Sequence, residues 1–246
     1  MCKTQYNNIL NLHSILNRSP LKKKEGKIMN QIDQEQIKNL LNQNTNIVAM
    51  YDYGSTVYGT RSEKSDNDVI MVVNNKDEPH LQEELSTWFD VNVYSKEEFS
   101  ELIKKHEVTA LECLALPEAN IWKKPEQDWQ FELNLPELRQ SLSAKSSNSW
   151  VKAKKKFIVE QDYAPYIGQK SAWHAIRIME FGHQIATQGK ITDFTAVNHL
   201  LPEILKCNSW QEIDDQFRKT CNEYSSRFRQ VAPKEVPAQS IKPKIK

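Results

Sequence analysis

The sequence predicts an α+β protein, in which an N-terminal α/β unit precedes an all-helical region. Strand patterns alternate with helical patterns up to about residue 130, whereas only helical periodicity remains from Pro136 onward. Hydrophobic residues make up 39% of the 246 positions, which is enough for a sizeable core. We therefore expect two domains, at 29–130 and 131–231.

The elements of the first half follow from local patterns. Apolar runs and alternation predict strands at 47–52, 67–73 and 89–94, and a short edge strand at Ile121 and Trp122. Helical patterns lie at 33–42, 57–60, 80–87, 95–105 and 109–116. Asp33 is a predicted N-cap, and Ser95 with Glu98 has the spacing of a capping box.

The second half is predicted to be entirely helical. Helices are expected near 136–147, 149–162, 168–188, 193–206 and 209–229, with Gly168 and Gly189 at the edges of the third. Residues 232–246 contain three prolines and no periodicity, which predicts a disordered tail. Residues 1–28 are interpreted as a flexible basic extension, or as upstream sequence before an internal start at Met29.

Composition narrows the classes of function. A net charge of +1 indicates no global field for nucleic acid or membranes. The four cysteines are far apart and include no CxxC pair, which favours a reduced, cytoplasmic setting and argues against zinc. No apolar run approaches the roughly 20 residues of a membrane span, so no membrane partner is expected. Composition leaves the oligomeric state open.

One stretch carries the chemistry. A Gly54-Ser55 turn is followed by Asp66 and Asp68, spaced i, i+2 at the start of the second predicted strand. Side chains alternate along a strand, so both aspartates lie on one side. On the third predicted strand Asp90 occupies the polar face, and it can reach the same cleft if the two strands are neighbours.

Three clustered carboxylates are costly unless cations neutralise them. Mg²⁺ prefers oxygen ligands and often shares them with substrate phosphates. The turn supplies the second requirement, because glycine allows close approach of a phosphate to the backbone and the Ser55 hydroxyl can donate a hydrogen bond. A helix that starts after Ser55 would add free N–H groups and its dipole.

The order Gly54-Ser55, Tyr58-Gly59-Thr60, Ser65-Asp66-Asn67-Asp68 and then Asp90 resembles the DNA polymerase β-type nucleotidyltransferase superfamily. It is most similar to the bacterial and phage predicted nucleotidyltransferases with a GSxxYGTxxxxSDxD stretch. The segments 170–177 and 211–228 resemble helices of the second domain of that group. The resemblance covers about residues 30–230 and implies an α/β domain with a small mixed sheet, followed by a helical domain.

The resemblance implies a function. Asp66, Asp68 and Asp90 would be the catalytic carboxylates that bind Mg²⁺, with two ions expected, and Gly54 and Ser55 would hold the triphosphate. The reaction would transfer a nucleoside monophosphate from a nucleoside triphosphate (NTP) to a hydroxyl, with release of pyrophosphate. Some members of the superfamily have lost catalysis, so a non-catalytic nucleotide- or partner-binding module, such as a toxin–antitoxin component, is the alternative.

Several residues allow two interpretations. Lys170, His174 and Arg177 share one stripe of a helix. This stripe is either a basic wall that binds the nucleotide or a solvated face. Asp90 alone is also compatible with an edge-strand aspartate that faces water. The acceptor is open, because an RNA end, a protein and a small molecule all fit the motif, and RNA binding through the basic helices and tails is a third hypothesis.

Overall fold

A single mixed sheet forms the centre of the N-terminal half. The computed structural model describes residues 31–63, 65–76, 85 and 88–235. The strands are β1 (Ile47–Asp52), β2 (Asp68–Val73), β3 (Asp90–Ser95) and β4 (Ile121–Lys123), in the spatial order β3-β2-β1-β4. β1 is antiparallel to β2 and β4, whereas β2 and β3 are parallel. The α+β class with a small mixed sheet is thereby confirmed.

The helices follow the order of the chain. In the described residues they are α1 (Gln31–Gln43), α2 (Lys96–Lys104), α3 (Val108–Leu114), α4 (Leu135–Ile158), α5 (Pro165–Gln188), α6 (Leu201–Ile204) and α7 (Trp210–Val231). Short 3-10 turns occupy Glu118–Asn120, Glu160–Asp162 and Asn198–Leu200.

The two faces of the sheet are both covered. Val69, Met71 and Val73 of β2 pack on one face with apolar residues of α1, and Ile70 and Val72 pack on the other with apolar residues of α2 and α3. This burial on both sides explains the continuous apolar run of β2. Asp68 stands at the start of the strand, on the same side as Ile70 and Val72.

The helical half packs around α5. Its core is formed with α4 and α7, and Ser146 of α4 donates a hydrogen bond to the Ala175 carbonyl of α5 at 2.8 Å. Tyr58, from the loop between β1 and β2, belongs to this core and is 4% exposed. The motif loop is therefore held by both halves. The predicted division at residue 130 stays a prediction.

Several predicted elements are confirmed. β1 has the predicted bounds, β4 lies at the sheet edge beside β1, and Gly189 ends α5 with a φ of +78°. Ser95 accepts from the Glu98 amide while Glu98 accepts from the Ser95 amide, which completes the capping box.

Other predictions are wrong in detail. Asp33 is not an N-cap, because α1 already includes Gln31. The segment 136–147 and most of the segment 149–162 form one helix, α4, because its buried stripe continues through Trp150 and Ala153, and the helix ends at Ile158 before a 3-10 turn. Gly168 lies inside α5 instead of at its edge, where an added Cβ would collide with the Phe157 ring.

The predicted helix at 193–206 is mostly turns, with only Leu201–Ile204 in α-helical form. Its middle is occupied by the 3-10 turn Asn198–Leu200, and Asn198 donates to the Tyr58 carbonyl at 2.7 Å. The 1–28 extension, most of the predicted helix at 80–87 and the tail beyond residue 235 lie outside the described residues. Among the described helices, none has the length and apolar character needed to cross a bilayer.

Candidate active site

A tight loop joins β1 to β2 and places a glycine against an aspartate. The Tyr53 amide donates to the Asp68 carbonyl at 2.8 Å, which holds the two ends of the loop together. Gly54 has a φ of +67°, and a Cβ added there would lie 3.1 Å from Asp68 Cγ, with Oδ2 closer still. Both the left-handed backbone and the contact require glycine at this position.

The segment after Gly54 is a compact turn. The Tyr58 amide donates to the Gly54 carbonyl at 3.2 Å, and the Thr60 amide donates to the Ser55 carbonyl at 3.0 Å. Between them, Gly59 reverses the backbone at a φ of +65°. The helix predicted at 57–60 is absent, because this reversal ends the turn. No helix dipole therefore acts at Ser55, and the turn offers the Ser55 hydroxyl and local backbone amides.

The carboxylates meet at the start of two parallel strands. Asp68 of β2 lies directly opposite Asp90 of β3 in the register, and the Asp90 amide donates to the Asn67 carbonyl at 2.8 Å. Burial, together with the charges of Asp90 and Asp66, raises the pKa of Asp68 to about 6. Such a site favours a bound cation, because a cation removes this repulsion.

A cavity of about 1020 Å³ opens between the motif loop and the helical half. Its sheet side is lined by the loop residues Gly54, Ser55, Tyr58, Thr60, Ser62, Ser65, Asp66 and Asp68. Its helical side is lined by Lys145, Asn148, Ser149 and Lys152 of α4, and by Tyr166, Ile167, Lys170, Ser171, Trp173, His174 and Arg177 of α5. We name these two sides the acidic floor and the basic wall.

The basic wall faces the acidic floor across the cavity. Lys170 and Asp68 line the same cavity, and the positive charge of Lys170 offsets part of the rise in the pKa of Asp68. Lys145 and Lys152 are exposed and stand at i and i+7 of α4, about 10 Å apart along the helix axis.

Burial and the contact with Arg177 both favour the neutral form of His174. Arg177 Nη2 lies 2.6 Å from His174 Nδ1, and because arginine only donates, Nδ1 must be an unprotonated acceptor. Burial lowers the pKa of His174 well below its usual value, and the charges of Arg177, Lys145 and Lys152 add to the effect. The neutral His174 therefore presents a donor, Nε2–H, instead of a positive charge.

A buried ionic group joins the two halves behind the cavity. The Arg177 guanidinium stacks 3.4 Å above the Tyr58 ring, and the Tyr58 hydroxyl donates to both oxygens of Glu112 at 3.1 Å. Glu112 and Arg177 are 1% and 4% exposed. Burial raises the pKa of Glu112, whereas the charge of Arg177 lowers it. The buried Arg177 Nε has no hydrogen-bond partner among the described residues.

The structure brings most of the predicted site residues together. Those that line the cavity are Gly54, Ser55, Asp66, Asp68, Lys170, His174 and Arg177. Asp90 is adjacent to Asp68 in the register and is solvent-exposed, but it does not line the cavity. The ligand-binding roles of all these residues stay predictions.

The sequence alone assigned no site role to Lys145, Lys152 or Glu112. The first two share one face of α4 with Asn148 and Ser149, a stripe at i, i+3, i+4 and i+7. The predicted break at 147–149 hid this stripe, because it assigned the two lysines to different helices. Glu112 gave no signal, since a single acidic residue in a helix is usually exposed.

The carboxylates have the donor chemistry for a divalent cation. Among the described residues, no three His, Cys, Asp or Glu side chains already converge closely enough to hold a metal ion. Mg²⁺ at nucleotide sites is commonly held by one or two carboxylates together with substrate phosphates. Asp66 and Asp68 on the floor, with Asp90 beside Asp68, fit that requirement.

Comparison with known proteins agrees with this geometry. The sequence model of the polymerase beta nucleotidyltransferase family matches residues 35–116, a segment that runs from α1 to just past α3 and includes the motif loop, β2 and β3. The segment 35–116, and not the whole chain, is therefore what resembles the polymerase β-type nucleotidyltransferases. The matched segment supplies the whole acidic floor, whereas the basic wall lies outside it.

Among solved structures, a spectinomycin adenyltransferase from Enterococcus faecialis, crystallised with ATP and spectinomycin, is similar to this chain. The alignment covers 81% of this chain and 100% of that one, at 12% identity and a TM-score of 0.41. A search of curated proteins found no match.

Proposed function

We propose that the protein transfers a nucleoside monophosphate from an NTP to a hydroxyl acceptor, with Mg²⁺ as cofactor. One observation carries the proposal: the Asp68 carboxylate lies against the Gly54 turn, opposite Asp90, on the floor of a cavity whose other side carries lysines. A triphosphate bound there would lie between carboxylates that hold cations and lysines that neutralise its remaining charge.

The residues on the two sides of the cavity would have different roles. The glycine turn and the Ser55 hydroxyl would position the triphosphate, and Lys152 and Lys170 would neutralise the leaving phosphates. Asp66 and Asp68 would hold Mg²⁺, with Asp90 as a further ligand. When bound, Mg²⁺ supplies charge neutralisation at the α-phosphate and at the leaving pyrophosphate.

In the transfer step, the acceptor oxygen forms a bond to the α-phosphorus, and the bond between that phosphorus and the bridging oxygen to the β-phosphate breaks. Pyrophosphate leaves with the electron pair of the broken bond. The exposed carboxylate of Asp90, next to Asp68, would take the proton of the acceptor hydroxyl. The basic wall then faces the charge that develops on pyrophosphate.

The test is transfer of label from each α-labelled NTP, with Mg²⁺, to acceptors in a cell extract. Asp66→Asn with Asp68→Asn should abolish labelling, while Asp215→Asn on the outer side of α7 serves as a surface control for the same type of substitution. Labelling that persists in the double variant overturns the proposal. Metal-dependent NTP binding without any labelled product assigns the chain instead to the non-catalytic nucleotide-binding class.

A further inference from the structure

A second cavity lies between the sheet half and the helical half, apart from the candidate active site. Its volume is about 430 Å³, and no described residue lines both cavities. One side is formed by β1, α3, β4 and the segment that follows β4, and the other side by the end of α5. On α5, Ile185 of the second cavity lies eight residues beyond Arg177 of the basic wall, or about 12 Å along the helix axis.

The interior of the second cavity is apolar and partly aromatic. Its walls include the rings of Tyr51, Trp129 and Phe131, together with leucine, isoleucine and alanine side chains. Trp129 Nε1 donates to the Tyr51 hydroxyl at 2.8 Å, and the Phe131 ring lies 5.2 Å from the ring of the buried His106. These contacts hold the aromatic walls in place. A preformed apolar cavity of a few hundred Å³ is typical of small-molecule sites.

Charged side chains stand at the mouth of the second cavity. Glu118, Lys124, Asp128 and Lys190 line it and are all exposed. Lys124 is paired with Glu118, with 2.5 Å between Nζ and Oε1. Within the part of the chain that the structure describes, neither the Asp128 carboxylate nor the Lys190 ammonium has an ion-pair or hydrogen-bond partner. The mouth therefore offers one free negative charge and one free positive charge.

This combination of charges selects the chemistry of the ligand. A free α-amino acid carries an ammonium for Asp128 and a carboxylate for Lys190, and both contacts would be charge-assisted. An apolar or aromatic side chain on the same molecule suits the interior, whereas a charged side chain would lose its hydration there. An apolar acid would use only Lys190, and an apolar amine would use only Asp128.

We propose that the second cavity binds a free α-amino acid with an apolar or aromatic side chain. The bound molecule contacts α3 on one side and the end of α5 on the other, so it joins the two halves of the protein. Because the site exists only in the folded chain, binding stabilises the fold and raises Tm with ligand concentration. The proposal is independent of the transfer reaction.

The ligand class is tested by isothermal titration calorimetry on the full chain. L-Phenylalanine and L-leucine should bind, and L-glutamate should not. Phenylpropanoate, which lacks the ammonium, and phenylethylamine, which lacks the carboxylate, should each bind about tenfold more weakly than L-phenylalanine, because one charge-assisted contact is lost. Failure of both apolar amino acids to bind overturns the proposal, and so does equal affinity for L-phenylalanine and its two analogues.

Two charge variants assign the contacts. Lys190→Gln should raise Kd for L-phenylalanine about tenfold and leave Kd for phenylethylamine unchanged, because that analogue has no carboxylate. Asp128→Asn should do the reverse, with phenylpropanoate as the unaffected analogue. Lys154→Gln and Asp215→Asn, which lie outside the second cavity, are the matched controls and should change neither value. A wild-type Kd for L-phenylalanine in both charge variants overturns the proposal.

Two further variants locate the ligand. Ala115→Phe fills the interior and should abolish binding of L-phenylalanine, and its Tm without ligand shows whether it folds. Asp66→Asn with Asp68→Asn changes only the other cavity and should leave Kd for L-phenylalanine as in the wild type. Binding that survives in a folded Ala115→Phe variant, or that is lost in the double aspartate variant, places the amino acid elsewhere and overturns the proposal.

Discussion

The acidic floor and the basic wall of the cavity are built in different ways. The floor comes from one short stretch of chain, whose backbone is fixed by the Tyr53–Asp68 hydrogen bond and by the left-handed Gly54. The wall comes from one face of each of two long helices, and its lysines stand on flexible stems. The positions of the atoms on the acidic floor are therefore fixed, whereas the basic wall contributes mainly positive charge.

This difference predicts how each side responds to substitution. A change on the floor moves atoms that have little freedom, so the effect on reactivity is steep. A change on the wall removes one of several cations, so the effect is graded and depends on salt. The buried Arg177–Tyr58–Glu112 group connects the two sides, and it should be the most sensitive point for stability.

The largest expected effect is at that connection. Glu112→Ala leaves the buried Arg177 without its nearby acidic partner and should lower the free energy of unfolding by about 3–5 kcal/mol. Urea denaturation measures the change. Glu118→Ala, which removes one member of an exposed ion pair with Lys124, should cost less than about 0.5 kcal/mol. Similar losses for the two variants would show that Glu112 does not stabilise Arg177.

Adding a methyl group at Gly54 tests the geometry of the acidic floor. Gly54→Ala combines a left-handed backbone with a collision at Asp68, and we expect a loss of about 2–3 kcal/mol together with a fall of about 100-fold in transfer rate. Gly189→Ala has a similar φ of +78° but no atom within 4 Å of the added Cβ, so only the backbone strain of about 1 kcal/mol remains. Equal thermal shifts in both variants would contradict a steric role for Asp68.

The wall is tested by charge. Lys152→Ala should raise KM for the NTP about tenfold at low salt and much less at high salt, since the lost contact is electrostatic. Lys154→Ala, whose side chain lies outside the cavity, is the matched control. A KM that changes to the same extent at every salt concentration would exclude a charge contact.

The smallest expected effect is a pH-dependent stability change on the floor. The pKa of Asp68 is raised from 3.8 to about 6, so the folded state favours its protonated form and loses that contribution as the pH rises through about 6. Asp68→Asn should therefore stabilise the metal-free protein by about 1 kcal/mol at pH 8, after allowance for solvent screening, and leave it unchanged near pH 3.5. Chemical denaturation at both pH values measures this, and a gain that is the same at both would contradict it.

The same contrast explains what the sequence could predict. The sides on which Asp66, Asp68 and Asp90 lie are predictable, because period-two alternation decides which side of a strand each side chain occupies. Neighbouring strands, however, are a matter of tertiary pairing, and the parallel β2–β3 register was visible only in the structure. The basic wall depends on the packing of α4 against α5, and no local sequence pattern predicts which face of a helix will line a cavity.

Two further failures have local physical causes. The short helix expected after Ser55 is absent because Gly59 adopts a left-handed conformation, which any glycine permits but does not require. Glu112 was invisible because its burial depends on Tyr58 and Arg177, which reach it from sequence positions 54 residues before and 65 residues after.

The position of Tyr58 has a kinetic consequence. The residue belongs to the motif loop, yet its ring is enclosed in the helical core and stacked on Arg177, and Asn198 holds its carbonyl. A hinge motion that separated the two halves would have to extract this ring, so we expect the halves to stay together while substrates enter and products leave. An NTP whose triphosphate lies against the Gly54 turn would then enter before the acceptor, and pyrophosphate would leave after the modified acceptor. Product-inhibition kinetics measure this order, and random-order kinetics would show that the halves do swing apart.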